Sequence, residues 1–227
     1  MKQAMLLVAV VCGFAMPMSA EYNHELGPTA GVSFYLGDAN HVKAFNRSSW
    51  TVGGLYRYNI DTRWAIKLQG MYARVNGNSN DFGYRYPNGQ TGVTFSRGLA
   101  DLNLEAEFNF LDIGESRYYR GHYQATPYIA MGVGCAIYES YGEGKLFKLS
   151  IPFAIGGKWL VTKRLTLGLE WSIHKLFADD LDVTGPENAI LKDPYSTGRI
   201  GFLDTDWYSM LNLTVSCKLF TTRKFCK

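Results

Sequence analysis

Glu170, Ser172 and His174 have the side-chain types of an acid, a nucleophile and a base. Spaced two apart on an extended chain they share one face, so a hydrolase-like grouping can be drawn. Any alternating polar face yields such trios, however. Neighbours along one face are also too far apart to guarantee a nucleophile–base hydrogen bond. Glu105 and Glu107 form a second same-face pair, of the type that serves general acid–base catalysis. Lysines and arginines recur on the polar faces of other segments, so ion pairing is the expected role of both carboxylates. The four histidines, His24, His41, His122 and His174, lack zinc-ligand spacing. Asp179, Asp180 and Asp182 have cation-binding chemistry, but a solvated acidic loop explains them as well. No glycine loop of the phosphate-cradling kind is present. No cofactor and no metal are expected.

The elements that must hold these residues are eight segments of alternating apolar and polar residues. The last runs from Trp207 to Phe220, with Leu211, Leu213, Val215, Cys217 and Leu219 facing one way and Asn212, Thr214, Ser216 and Lys218 the other. Period-2 alternation marks a strand whose two faces meet different surroundings. Leu102, Leu104, Ala106, Phe108 and Phe110 alternate equally cleanly with Asp101, Asn103, Glu105, Glu107 and Asn109. The other expected strands start near Leu26, Trp50, Trp64, Thr126, Phe147 and Leu165. Pro152 sits awkwardly in the sixth, because proline removes a ladder donor. Residues 60–63 and 161–164 are short links, while 37–49, 76–97 and 175–206 are long. The link 111–124 and the brief 139–146 fit that alternation less well.

The chain begins like an exported protein. Lys2 precedes an apolar run from Ala4 to Phe14, and Met18-Ser19-Ala20 offers a cleavage site before Glu21. That run is too short for a spanning helix. The expected organisation is a removed signal peptide over 1–20, a barrel over 21–220 and a periplasmic tail over 221–227. The net charge of +3 is too small to imply nucleic acid as a partner. After cleavage Cys135, Cys217 and Cys226 remain, an odd number that argues against a closed set of internal disulfides. Cys226, beside Arg223, Lys224 and Lys227, would lie in an oxidising compartment. A bond to Cys217 and a bond to a periplasmic partner both satisfy it.

Eight such strands after an export signal predict an all-β fold, an eight-stranded antiparallel up-and-down transmembrane β-barrel with lipid outside and polar side chains inside. Outward Tyr58, Trp64, Phe110 and Trp159 fall at the short-turn end. Phe34, Trp50, Tyr72, Phe147, Trp171 and Trp207 fall at the long-loop end. Two aromatic bands at membrane–water interfaces produce this distribution, whereas a soluble lipocalin-like barrel has no reason for it. Inside, Arg57, Lys67, Lys148, Lys158 and Lys218 face Asp101, Glu105, Glu107 and Glu170. An eight-stranded barrel is just wide enough for side chains to fill, so these charges are expected to pair and plug it. The even strand count puts both termini in the periplasm.

Several stretches also resemble a family. Phe34-Tyr35-Leu36-Gly37-Asp38, Tyr56-Arg57-Tyr58-Asn59 with Arg63-Trp64-Ala65-Ile66-Lys67, and Glu107-Phe108-Asn109-Phe110 carry the resemblance, with Thr126-Pro127-Tyr128-Ile129 and Ile151-Pro152-Phe153 running into Gly157-Lys158. The most specific is Leu167-Gly168-Leu169-Glu170-Trp171, followed by Phe177 and Asp179-Asp180-Leu181-Asp182. The chain is similar there to the small outer-membrane barrels of Bacteroidetes grouped with PorG, a component of the type IX secretion system. The resemblance implies a non-enzymatic barrel of the cell outer membrane, associated with a periplasmic ring built from a lipoprotein and its partner subunit. Candidate contacts for that ring are Cys226 and the 111–124 link, with Arg117, Tyr118, Tyr119 and Arg120, whose aromatic and arginine content suits interface anchors. The alternatives are an adhesive or structural surface barrel, and a lipid-modifying membrane enzyme using loops 76–97 and 175–206.

Overall fold

The computed structural model describes residues 23–36, 47–78, 94–111, 123–140, 144–162, 164–178, 181 and 206–219. Eight strands follow one another: β1 Asn23–Leu36, β2 Ser49–Asn59, β3 Trp64–Asn78, β4 Thr94–Asn109, β5 Ala125–Ser140, β6 Gly144–Leu160, β7 Leu165–Leu176 and β8 Trp207–Lys218. Each pairs antiparallel with its sequence neighbour, and β1 pairs with β8, so the sheet closes into a barrel. Closure removes every sheet edge and leaves no strand ladder open to lipid. The start of β1 and the end of β8 adjoin at the short-turn end, where Glu25 pairs with Lys218 and the Leu219 N–H donates to the His24 carbonyl at 2.8 Å.

The two short turns are built alike. Asp61 Oδ1 accepts from the N–H groups of Arg63 (2.7 Å) and Trp64 (2.6 Å). Thr162 Oγ1 accepts from Arg164 (3.3 Å) and Leu165 (3.0 Å) in the same way. A short polar side chain that satisfies backbone donors two and three residues on is the reason such residues favour tight turns.

Proline marks the places where the ladders are interrupted. The β5–β6 register breaks between Met131↔Phe153 and Gly134↔Ser150, across Pro152, while β6 and β7 pair through Pro152↔His174. The β1–β8 register breaks between Leu26↔Cys217 and Thr29↔Thr214, across Pro28. The strand thus keeps its position in the sheet and forgoes pairing on one side only.

Several strands extend further than the alternation predicted. β3 runs on to Asn78 and β4 starts at Thr94, so the connection expected at 76–97 is partly sheet. Only 141–143 separates β5 from β6, rather than 139–146. The reason in β3 and β4 is a reversal of polarity. Below Tyr72 the outward residues are apolar and the inward ones polar. Above it Arg74, Asn76, Ser96 and Thr94 take the outer register, while Ala73, Val75, Phe95 and Leu99 are buried inside, with Met71 just beneath them. A search for apolar-out alternation ends where that reversal begins.

The outer wall is apolar all round: Leu102, Met131, Val133, Leu149 and Leu213 are each more than half exposed. A continuous apolar girdle of this extent is not a water-facing surface. Aromatic rings border it. At the short-turn end Trp64 packs on Phe108 with centroids 4.9 Å apart, Phe108 meets Phe110 edge-on at 5.5 Å, and Trp159 is exposed nearby. At the other end Trp50 lies 5.6 Å from Tyr72, with Phe147 and Trp207 around the rim. Phe34 departs from expectation: it holds the outer register but is buried. Trp64 and Tyr72, at the two borders, are both on β3. At about 3.3 Å per residue and a tilt near 40° their spacing spans about 20 Å along the barrel axis, close to the apolar height of membrane barrels. Among the described residues no helix is long and apolar enough to cross a membrane.

Candidate functional site

The interior has two storeys. The one nearer the short turns is ionic and rests on three cations. Arg57 on β2 donates from its terminal nitrogen to Glu25 at 2.8 Å and from Nε to Glu107 at 3.0 Å. Lys158 on β6 reaches the other oxygen of Glu107. Lys67 on β3 pairs with its cross-strand neighbour Glu105 at 3.1 Å and with Glu170 on β7, across the lumen. Tyr128 adds a 2.7 Å hydrogen bond to Glu170, and Lys158 lies over the Tyr128 ring. Arg57 and Lys67 are direct cross-strand partners. Like charges placed so repel, and the four carboxylates wrapped around them offset that repulsion. Gly156 makes room for Tyr128: a Cβ there would sit 2.6 Å from the tyrosine ring.

Every one of these side chains is buried. Lys67, Glu105 and Glu107 are at most 1 % exposed. A buried pair with one partner removed is strongly destabilising, so the network holds the barrel's circumference together as much as it fills it. The six residues expected from sequence, Arg57, Lys67, Glu105, Glu107, Lys158 and Glu170, are brought together here. Glu25 is the member that sequence reasoning missed. It precedes the segment read as the first strand, and only the extension of β1 to Asn23 carries it into the lumen. Lys148 and Lys218, also expected inside, are only half-buried.

Above the ions lies a mixed layer. His174 shares a 2.9 Å hydrogen bond with Ser172, so the same-face spacing does bring base and hydroxyl together. Glu170, the expected third member, instead serves Lys67 and Tyr128. Asp101 lies 3.3 Å from His174 Nδ1, outside hydrogen-bond geometry, and the imidazole stacks on Tyr208 at 4.6 Å. All three side chains are at most 3 % exposed. A nucleophile needs an approach path for a carbonyl and donors for the resulting oxyanion, and this packing provides neither. The group acts as a hydrogen-bonded spacer between the storeys.

The upper storey is an apolar plug of Tyr35, Met71, Val75, Phe95, Leu99, Leu176, Leu181, Tyr208 and Met210, closed by Tyr138. Asp206 pins it: one oxygen accepts from the Tyr35 hydroxyl at 2.7 Å, the other from the Leu181 N–H at 2.9 Å. Arg97 covers the Tyr138 ring at 5.1 Å. The plug was invisible to a reading that assumed a polar interior along the full strand length. Its signal was the run of inward apolar positions from Met71 to Val75. The described lumen is therefore filled at both levels, by ion pairs below and hydrocarbon above.

Among the described residues no three His, Cys, Asp or Glu are grouped to hold a metal ion. Cys135 and Cys217 are free thiols. Arg117, Tyr118, Tyr119, Arg120, Cys226 and the Asp179, Asp180, Asp182 cluster lie outside the described residues, as do the signal segment and the tail.

A closed eight-stranded barrel with an apolar outer girdle, two aromatic borders and a plugged interior defines a small transmembrane β-barrel. The chain belongs to the DUF6089 family, a domain of unknown function whose model matches residues 2–227. Comparison with curated proteins finds no match. Among solved structures the chain is similar to the Neisserial surface protein A, at 11 % identity over 88 % of this chain and 98 % of that one, with a TM-score of 0.47. It is also similar to OprG of Pseudomonas aeruginosa, at 11 % identity over 89 % and 97 % with a TM-score of 0.45. A third is the attachment invasion locus protein Ail of Yersinia pestis, at 11 % identity over 88 % and 99 % with a TM-score of 0.40. The barrel assignment itself rests on this chain's own strand pairing.

Proposed function

We propose that this protein is a non-enzymatic barrel of the outer membrane that anchors or supports a periplasmic protein-secretion assembly of the type IX kind. The observation that carries the reading is the filled lumen. With the described lumen filled by ion pairs and hydrocarbon, function falls to the barrel's surfaces, and at the short-turn end the beginning of β1 and the end of β8 lie side by side. The resemblance of Tyr56-Arg57-Tyr58-Asn59 and Leu167-Gly168-Leu169-Glu170-Trp171 to secretion-system barrels supplies the particular assembly. In this reading the 111–124 link and the Cys226 tail contact a ring lipoprotein or its partner, with Cys226 available for a disulfide.

Capture of the barrel from native membranes, with and without reductant, tests it. Recovery of a periplasmic ring subunit, and loss of secreted cargo on deletion of the gene, are the expected results. A barrel recovered alone from membranes, with an unchanged secretome in the deletion strain, overturns it. In planar bilayers the purified protein is expected to give no conductance steps, and regular single-channel steps would count against the filled lumen.

The β3–β4 hairpin favours a second reading. It continues as sheet beyond Tyr72 with polar residues outward and so stands above the aromatic border in water. A surface-exposed hairpin suits an adhesive or structural role, and loss of whole-cell adhesion with secretion intact would select it.

A further inference from the structure

On the outer face of that hairpin, where β2 begins, lies a concavity of about 570 Å³. We propose that it binds the phosphorylated sugar headgroup of a membrane glycolipid, of the lipid A class, seated in the leaflet at the long-loop end. This site is independent of the secretion reading.

The chemistry of the lining selects the headgroup. Arg47 and Arg74 supply two guanidinium groups to its lining. Arg74 is exposed and donates from Nε to Ser96 Oγ at 2.9 Å, which holds its planar fork over the opening. Guanidinium forks match phosphate oxygens in pairs. Ser49, Asn76 and Ser96 add hydroxyl and amide groups suited to sugar hydroxyls. The volume lies in the range of organic-ligand pockets and exceeds what a lone phosphate needs.

Position selects a lipid as the source. Trp50 lines the concavity, and Tyr72 precedes Arg74 by one outward step along β3, so the guanidiniums stand just above the aromatic border. Headgroup phosphates lie at that level. The Tyr72 hydroxyl is laid across Gly98, where a Cβ would be 2.5 Å from it, and this makes the ring a ledge beneath the cations. Directly below, Gly54 and Gly70 are paired on the outer wall, with Pro28 and Leu102 beside them in the same row. A Cβ at either would meet nothing closer than 3.5 Å. Over these two glycines an acyl chain can lie close to the wall while its headgroup reaches the arginines.

The test titrates detergent-solubilised barrel with lipid A, with phosphatidylglycerol and with inorganic phosphate, followed by thermophoresis. Lipid A is expected to bind the wild type and to bind Arg47→Ala/Arg74→Ala at least tenfold more weakly. A control pair at the opposite end, Arg63→Ala/Arg164→Ala, should bind like the wild type. Heat-dependent electrophoretic migration establishes that each variant is folded. Absence of lipid A binding, equal affinity in the concavity variant, or an equal loss in the control pair overturns the site. Phosphatidylglycerol binding as tightly as lipid A overturns the glycolipid assignment. Full displacement of lipid A by inorganic phosphate overturns the lipid as source.

Discussion

Lys67→Met is the sharpest test of the ionic storey. The ammonium is fully buried and lies 3.1 Å from Glu105, with Glu170 on its other side. At an effective dielectric constant near 20, one pair at that distance is worth about 5 kcal/mol of attraction. Most of this repays desolvation, so the pair's net worth is far smaller. Removal of the cation alone is different, because it leaves two buried carboxylates facing each other. Such one-sided losses cost about 3–5 kcal/mol. Neutralising the whole group, Lys67→Met/Glu105→Gln/Glu170→Gln, removes the attraction and the desolvation cost together. Tyr128 retains an amide acceptor at position 170. The triple variant should therefore recover most of the loss and fall within about 2 kcal/mol of the wild type. Equilibrium denaturant unfolding in detergent micelles or vesicles, followed by tryptophan fluorescence, measures both. A single variant within about 0.5 kcal/mol of the wild type, the ordinary scatter of surface changes, would refute the reasoning. So would a triple variant as unstable as the single.

Asp61→Ala removes the acceptor of two backbone N–H groups in an exposed turn, with an expected loss of about 1 kcal/mol; Thr162→Ala, with longer bonds, should lose less in the same unfolding assay. Gly156→Ala forces the Tyr128 ring away from Glu170 and should cost about 1–3 kcal/mol by overpacking. Combining it with Tyr128→Leu should give less than the sum of the two losses, and strict additivity would argue against the contact. Ser172 in the folded barrel should resist a fluorophosphonate probe; labelling of the wild type that disappears in Ser172→Ala would make the Ser172–His174 pair reactive rather than structural.

The barrel was legible because period-2 alternation needs no tertiary knowledge. Strands such as Leu102–Phe110 separate lipid from lumen residue by residue. The ionic storey was legible for the same reason, since six of its members lie on polar faces of clean strands. What escaped was whatever departs from apolar-out polarity. β3 from Asn76 onward and β4 before Gly98 read as loop, because their outward residues are those of a water-facing surface. The apolar plug escaped with them, and so did the concavity bounded by Arg47 and Arg74. Glu25 was lost to a boundary error of a few residues. Ser172 and His174 were placed on one face, but a hydrogen bond between them was not expected from their spacing. That bond, and the involvement of Asp101 in place of Glu170, depend on strand curvature and on β4, which spacing along β7 cannot supply.

The ion pairs that bridge the lumen also constrain how the protein enters a membrane. Lys67 and Glu170 are separated by 103 residues, and Arg57 and Glu107 by 50. A β2–β3 hairpin arriving alone would carry Arg57 and Lys67 opposite one another, with neither Glu107 nor Glu170 present. A bare cation in hydrocarbon costs several kcal/mol, so stepwise insertion hairpin by hairpin has no favourable intermediate. The charges can cross only when β1 through β7 are already curled around them. Insertion is then expected to be a concerted event gated by closure, with the meeting of distant parts of the chain as its slow step rather than the burial of the outer wall.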